Sequence, residues 1–213
     1  MILGRRDPSL SELGREQATR LGMAAVQAGA ASIWTSPMRR ARETAAIVAA
    51  AVGVAPEVLD ELSESDRGDW EGQTVEHIAA AQPELFAAFE AADPEFAFPG
   101  GESLAEQVRR TRAALGVVAA GLKPALVVAH AGTIRAALLA FGQRPPPERA
   151  LPHGELVVFT WSAAGAQTSG SRGSACRIRL ASYVTAAPPL RSTFSVIQVT
   201  NEWRSRLISS QKR

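Results

Sequence analysis

The run of five apolar residues from 125 to 129 constrains the fold of this chain more than any other segment. Its sequence, Ala-Leu-Val-Val-Ala after Pro124, lacks the polar alternation of a strand that has one face in water. Continuous apolar runs of this length are typical of parallel strands that helices cover on both faces. His130 follows the run directly, and open α/β sheets bind ligands at the carboxyl ends of such strands. The run therefore predicts an α/β fold with a candidate site at His130.

A second predicted strand leads into a basic helix. Residues 32–35 form a short segment of strand type, Ser36 suits a helix cap, and Pro37 suits the first position of a helix that continues to about Val52. Three arginines fall in its first two turns: Arg39, Arg40 and Arg42. Because free backbone N–H groups in a first turn attract anions, this end of the helix is a candidate anion site.

The rest of the chain alternates helices with strands. Caps and apolar periodicity predict helices over residues 12–29, over 74–92 with a break near Pro83, over 104–118 and over 132–141. Further strands are predicted at 57–60 and, as a hairpin, at 156–161 and 177–184. An acidic, glycine-containing loop spans residues 62–72.

The composition argues against a metal centre, a disulfide framework and a membrane protein. Cys176 is the only cysteine, and the three histidines are scattered, so the sequence offers no metal ligand set and no internal disulfide. No apolar run reaches the ~18 residues that a membrane helix needs. We expect a cytoplasmic protein, monomer or homodimer, that needs no cofactor and contacts no membrane.

The charge is divided along the chain. Residues 1–165 hold 15 Lys and Arg against 20 Asp and Glu, whereas residues 166–213 hold 8 against 1. The basic end carries no aromatic-interleaved basic motif, so we interpret it as an extension rather than as a nucleic-acid site. The predicted organisation is one domain over residues 1–185 and a basic, flexible Ser/Thr-rich tail over 186–213.

A series of short motifs runs from about Leu3 to about Val184. They comprise Gly4 with residues 10–14 and 17–18, then 36–44, 62–64, 68–72, 99–103, 128–132 and 134–135. In this order and spacing they resemble the histidine phosphatase superfamily, in the branch of cofactor-dependent phosphoglycerate mutases, broad-specificity phosphatases and α-ribazole phosphatase. The resemblance implies a three-layer α/β/α sandwich of the phosphoglycerate mutase type that acts on a small phosphate ester through a phosphohistidine.

The resemblance assigns roles to five residues. Arg40 matches the arginine that holds phosphate oxygens in the planar fork of its guanidinium. His130 matches the histidine that donates to a phosphate oxygen, and Glu64 matches the acid that gives a proton to the leaving alcohol. Gly4 and Ala131 are expected to let backbone approach the phosphate. For each side chain the alternative is a solvated or structural group, above all for Glu64, which lies in the acidic loop.

The nucleophile that the resemblance requires is missing from the sequence. In the family the first strand ends in Arg-His-Gly, and by resemblance this strand lies inside the sheet beside the one that ends at His130. No Arg-His-Gly occurs in the 213 residues. His153-Gly154 resembles part of the motif, but it lacks the arginine and the preceding strand. We therefore expect a chain that begins after the nucleophile strand.

Several functions remain open at this point. The parent protein is predicted to be a phosphomonoester hydrolase acting on a small phosphorylated metabolite, with a phosphoglycerate mutase-type isomerase as an alternative because both use the same site. A non-catalytic phosphate-binding relative and a decayed sequence that does not fold stably are further hypotheses. The strand-like residues 194–200 either occupy the vacant sheet position or belong to a disordered or frame-shifted tail.

Overall fold

The sheet has six strands in the order β2-β1-β3-β6-β4-β5. The computed structural model describes residues 1–148, residue 151 and the backbone of three further strands at 156–160, 177–181 and 193–198. The strands are β1 (Ser32–Thr35), β2 (Pro56–Val58), β3 (Ala125–Ala129), β4 (Leu156–Thr160), β5 (Arg177–Ala181) and β6 (Thr193–Gln198). The first three and β6 run parallel, whereas β4 lies antiparallel to both β5 and β6.

Six α-helices surround the described part of the sheet. They are α1 (Glu12–Gln27), α2 (Arg39–Val52), α3 (Val75–Ala81), α4 (Pro83–Ala91), α5 (Leu104–Ala120) and α6 (Ala131–Ala140). Ser11 caps α1, and Ser103 forms a capping box with Glu106 at the start of α5. The predicted break near Pro83 is confirmed, because Pro83 opens α4 immediately after α3 ends. None of the described helices is long and apolar enough to cross a membrane.

Strand β3 is buried along its whole length, as the apolar run predicts. Leu126 and Val128 pack with α1 and α2 on one face. Val127 and Ala129 pack with α5 and α6 on the other face. Alternate residues of one strand thus reach two helical layers, which confirms the predicted three-layer α/β/α sandwich.

The strand beside β3 comes from the end of the sequence. Strand β6 pairs in parallel with β3 from Ala125↔Phe194 to Ala129↔Gln198, and it separates β3 from β4. The flexibility predicted for residues 186–213 stays a prediction, and within them residues 193–198 take the vacant sheet position that the sequence analysis offered as an alternative. The physical reason is that an interior strand such as β3 leaves a full row of backbone N–H and C=O groups unpaired unless a neighbour is supplied on that side. The boundary at residue 185 stays a prediction.

An aromatic cluster holds the acidic loop against the helices that follow it. Trp70 is fully buried and packs edge-on against Phe89 and Phe98, with ring centroids 5.6 and 5.4 Å away. Its indole N–H donates to Gln82 Oε1 at 2.9 Å. This packing positions the loop that carries Glu64 beside the carboxyl end of β3.

Candidate active site

Arg40 lies in the first turn of α2 and is buried, with a side chain 3% exposed. Its guanidinium donates to the carbonyl oxygens of Arg6, at 2.9 Å from Nη1, and Gly4, at 3.2 Å from Nη2. Burial lowers the pKa of Arg40, while the opposing charges of Glu64 and Asp7 raise it. The structure therefore brings Gly4 and Arg40 together through a hydrogen bond from the guanidinium to the Gly4 carbonyl oxygen.

An internal carboxylate already lies at the anion site that the sequence predicts. Asp7 accepts hydrogen bonds from the backbone N–H groups of Arg39, at 2.5 Å, and Arg40, at 3.4 Å. Its Oδ1 is also 3.3 Å from Nη1 of Arg40. A carboxylate at a helix N-terminus and beside a guanidinium has the contacts that a bound anion would make there.

His130 lies between β3 and α6 and is fully buried. Its Nε2 is 2.8 Å from Oγ of Ser36, which follows β1 on the neighbouring strand. Its Nδ1 has no hydrogen-bond partner among the described residues. Burial lowers the pKa of His130 to about 3, against the opposing effect of Glu64. The imidazole is therefore neutral at pH 7, with one donor and one acceptor nitrogen.

Glu64 is also buried, with 6% of its surface exposed, so it is not the solvated acid of the alternative interpretation. Its Oε1 accepts from the backbone N–H of Ser65 at 2.8 Å and lies 3.6 Å from Nη2 of Arg67. Burial raises the pKa of Glu64, but the charges of Arg67, His130 and Arg40 lower it to about 2. Glu64 is thus ionised in this arrangement, and the role of proton donor requires a ligand that raises its pKa.

Gly132, in the first turn of α6, allows the Glu64 loop to approach. An added Cβ at this position would collide with Glu64 Oε1 and would lie 2.5 Å from Ser65 Oγ and 2.7 Å from Gln107 Nε2. Gln107 in turn hydrogen-bonds Ser65. The small residues after His130 therefore admit the Glu64 carboxylate, whereas the sequence predicted the approach of a phosphate.

Arg110 fixes the loop on its other side. Its guanidinium forms a two-pronged ion pair with Glu102, at 2.6 and 2.8 Å. Nη1 donates to the carbonyl oxygens of Glu61 and Ser63, both at 2.7 Å. Glu102 therefore braces the loop, and Arg110 fixes the backbone immediately before Glu64.

The profile of the histidine phosphatase superfamily (branch 1) matches residues 1–170. The chain belongs to this superfamily. A solved structure of mycobacterial glucosyl-3-phosphoglycerate phosphatase with inorganic phosphate is 28% identical and superimposes with a TM-score of 0.68, over 87% of this chain and 91% of that one. This likeness agrees with the fold and with the resemblance that the motifs indicate.

Two sequence relatives match the chain over part of their own length. A bifunctional protein of Mycobacterium tuberculosis is 36% identical over 135 residues, which are 62% of this chain and 37% of the relative. Phosphoserine phosphatase 1 of Hydrogenobacter thermophilus is 34% identical over 109 residues, 51% of this chain and 52% of the relative. The matches thus span between about a third and about half of these relatives. The superfamily to which the chain belongs therefore includes proteins that are named as phosphatases.

The remaining residues considered in the sequence lie in different environments. Ala131 is buried at the start of α6, beside His130. Arg39 is a surface residue that pairs with Glu43 at 2.8 Å, and His77 is exposed on α3. His153 lies outside the described residues. Among those residues no group of His, Cys, Asp and Glu is arranged to hold a metal ion.

Sequence reasoning missed four residues that contact the site. They are Asp7, Ser36 as a partner of His130, Arg67 and Arg135. Ser36 was interpreted only as the cap of α2, which is wrong, because α2 begins at Arg39 and its cap residue is Met38. The Ser36 hydroxyl accepts from Met38 N–H at 3.3 Å, one residue before the helix. Arg135 lies in a motif and Arg67 lies between two motifs, but only the fold shows that both are buried and lie near the same carboxylate, Glu148.

Proposed function

We propose that this chain binds the phosphate group of a small phosphate ester between Arg40, the N-terminus of α2 and His130. The observation that carries the proposal is the Asp7 carboxylate, which lies on two backbone N–H groups and on the Arg40 guanidinium. These donors suit an oxyanion, and a phosphate dianion supplies more charge and more oxygens than one carboxylate. The ester would therefore replace Asp7.

A cleft leads to this position. It has a volume of about 570 Å³ and is lined by residues that include Asp7, Thr35, Arg39 and Arg42. Clefts of this size hold small metabolites. Arg40 and His130 do not line the cleft, but Asp7 lines it and contacts Arg40, so movement of the Asp7 side chain would expose the guanidinium.

The buried groups suit phosphoryl chemistry once a phosphate is present. Arg40 would hold equatorial oxygens, and neutral His130 would donate its single N–H. The negative charge of a bound phosphate raises the pKa of both His130 and Glu64, which moves Glu64 towards the proton-donor role. Hydrolysis through a phosphohistidine also needs the Arg-His-Gly strand, which these 213 residues do not contain. We propose hydrolysis only for a chain that includes such a strand, and a mutase would use the same groups.

A second candidate is a non-catalytic phosphate-binding protein. Strand β6 favours it, because residues 193–198 fill the sheet position beside β3 that the resemblance gives to the nucleophile strand, and they include no histidine. In that case the site binds the ester but no group attacks the phosphorus.

Ligand-induced stabilisation tests the binding site. Glycerol 3-phosphate is expected to raise the thermal midpoint of the wild-type chain and of Arg20→Ala, a control on the exposed face of α1. Arg40→Ala should lose that shift, since a ligand stabilises the folded state by an amount that grows with the ratio of its concentration to its dissociation constant. An equal shift in all three proteins would contradict the proposal.

Turnover of an aryl phosphate separates the two candidates. The 213-residue chain is compared with a version in which a strand ending in Arg-His-Gly precedes Ile2, with Arg-Gln-Gly as its control. Because the new strand competes with β6, each version is also made without residues 186–213. Hydrolysis several orders of magnitude faster with Arg-His-Gly is expected. Turnover by the 213-residue chain itself would exclude the non-catalytic candidate, and equal rates for both motifs would exclude the phosphohistidine.

A further inference from the structure

A groove runs between helix α2 and the edge of the sheet, next to Asp7. It is the cleft of about 570 Å³ that Asp7 lines. Helix α2 contributes Arg39, Arg42, Glu43 and Ala46 to it. Their spacing of three and four residues places them on one stripe of the helix. A ligand that replaces Asp7 at the start of α2 would therefore extend into this groove.

The opposite wall of the groove is largely apolar and comes from strands β1 and β2. Ile33 packs with α1 and α2, so Thr35, two residues later, lies on the same face of the sheet. Pro56 pairs with Ile33 and Val58 pairs with Thr35 in parallel register, which places both on that face. Val58 lies on the edge strand, and 50% of its surface is exposed. Pro37, just before α2, extends this apolar wall.

The charged side chains of α2 in the groove are paired, except for one guanidinium. Glu43 accepts from the backbone N–H of Leu10 at 2.9 Å and forms ion pairs with Arg39, at 2.8 Å, and Arg15, at 3.2 Å. Arg42 is exposed and forms no ion pair with any residue that the structure describes. A guanidinium of this kind can lie over the face of an aromatic ring.

These walls fit one kind of alcohol. A desolvated hydroxyl group needs hydrogen-bond partners that an apolar wall does not offer, so the groove disfavours a sugar or glycerol ester. A flat aromatic ring can lie on Pro37, Pro56 and Val58 and present its face to Arg42. We propose that the groove binds the alcohol part of the phosphate ester and that this part is an aromatic ring. The position of the phosphate rests on the proposed function, and the substrate class is aryl phosphates.

Three phosphate esters test this assignment. Phenyl phosphate carries the ring, cyclohexyl phosphate carries an apolar group of similar size, and glycerol 3-phosphate carries hydroxyl groups. Their dissociation constants are measured by titration calorimetry on wild type, Val58→Ser and Ala46→Glu. The controls are Val117→Ser and Ala50→Glu, because Val117 is 48% exposed on α5 and Ala50 is exposed on α2 outside the groove.

Wild type is expected to bind phenyl phosphate about threefold more tightly than cyclohexyl phosphate, because an exposed cation–π contact corresponds to about that factor. Val58→Ser should lower the preference for phenyl phosphate over glycerol 3-phosphate about fivefold, since part of the apolar wall is lost. Ala46→Glu should lower this preference as well, because the new carboxylate, four residues after Arg42, pairs with its guanidinium. Both controls should behave like wild type.

The ratio of two affinities in the same protein is compared, so a general change in phosphate binding cancels. An unchanged preference in either Val58→Ser or Ala46→Glu, or an equal fall in the matching control, overturns the proposal. Equal affinities of wild type for phenyl and cyclohexyl phosphate, or a tighter cyclohexyl phosphate, overturn the aromatic assignment. If Val58→Ser does not fold, the comparison of Ala46→Glu with Ala50→Glu decides.

The failure of the proposed function has a different signature. If none of the three esters binds any of the proteins, the phosphate site is wrong, and benzyl alcohol, which carries a ring without a phosphate, then tests the groove. Its binding is followed by saturation-transfer NMR. A signal with wild type and Ala50→Glu that is lost with Ala46→Glu supports the groove. Equal signals, or no signal with any protein, overturn the groove as well.

Discussion

Acidification should destabilise this protein through one buried imidazole. The pKa of His130 is lowered from 6.5 to about 3 by burial, so the folded chain keeps it neutral where the unfolded chain takes up a proton. Stability is therefore lost as the pH falls below about 6.5, and the loss continues towards pH 3. The limiting slope for one proton is about 1.4 kcal/mol per pH unit. Between pH 7 and pH 5 the expected loss from His130 is about 2 kcal/mol.

This pH window isolates His130 from the carboxylates. Glu43, Glu64 and Glu106 also have lowered pKa values, but their ordinary value is 4.5, so their contribution is lost mainly at lower pH. The assay is urea unfolding at pH 7.0, 6.0, 5.5 and 5.0 on wild type, His130→Gln and the exposed control His77→Gln. Glutamine offers a side-chain amide but does not titrate.

Wild type and His77→Gln are expected to lose about 2 kcal/mol more between pH 7 and pH 5 than His130→Gln does. The absolute stability of His130→Gln does not enter, since only the change with pH is compared. Equal losses in all three proteins would show that His130 is not held neutral. Such a result would refute the burial of this residue on which the site depends.

Three further outcomes follow from contacts in and around the site. Gly132→Ala should lower the free energy of unfolding by about 1–3 kcal/mol, because its Cβ meets the Glu64 loop. Gly116→Ala, in open space on α5, should instead raise it by about 0.5–1 kcal/mol. Equal unfolding midpoints in urea for the two variants would contradict this reasoning. Asp7→Asn should lower the free energy of unfolding by about 1 kcal/mol, because Arg40 then lacks its internal anion. The same variant should bind inorganic phosphate more tightly in a calorimetric titration. Weaker binding would argue against the displacement of Asp7 by phosphate. Deleting residues 186–213 should remove cooperative thermal unfolding, followed by circular dichroism, because β6 lies between β3 and β4 in the described sheet; an unchanged midpoint would mean that the sheet does not depend on it.

Much of the site could be predicted because its residues follow local rules. His130 comes directly after a fully apolar strand, and Arg40 lies in the first turn of a helix, so each position could be predicted from neighbours in sequence. The contacts of Arg40 with Gly4, Arg6 and Asp7 join residues more than 30 positions apart. No local pattern encodes such distances.

The charge state of the buried groups and the order of the strands also depend on contacts between distant residues. The sequence by itself determined the α/β class, the buried strand β3 with His130 at its end, the capped helices and the absence of an Arg-His-Gly motif, because periodicity, caps and motifs act over a few neighbouring residues. Only the tertiary structure decided that Glu64 is ionised, that Asp7 and Glu148 lie on arginines, and that residues 193–198 pair with β3. Burial, charge pairing and strand order depend on which distant segments come into contact. The free energy that stabilises those contacts comes from the packing of the whole core.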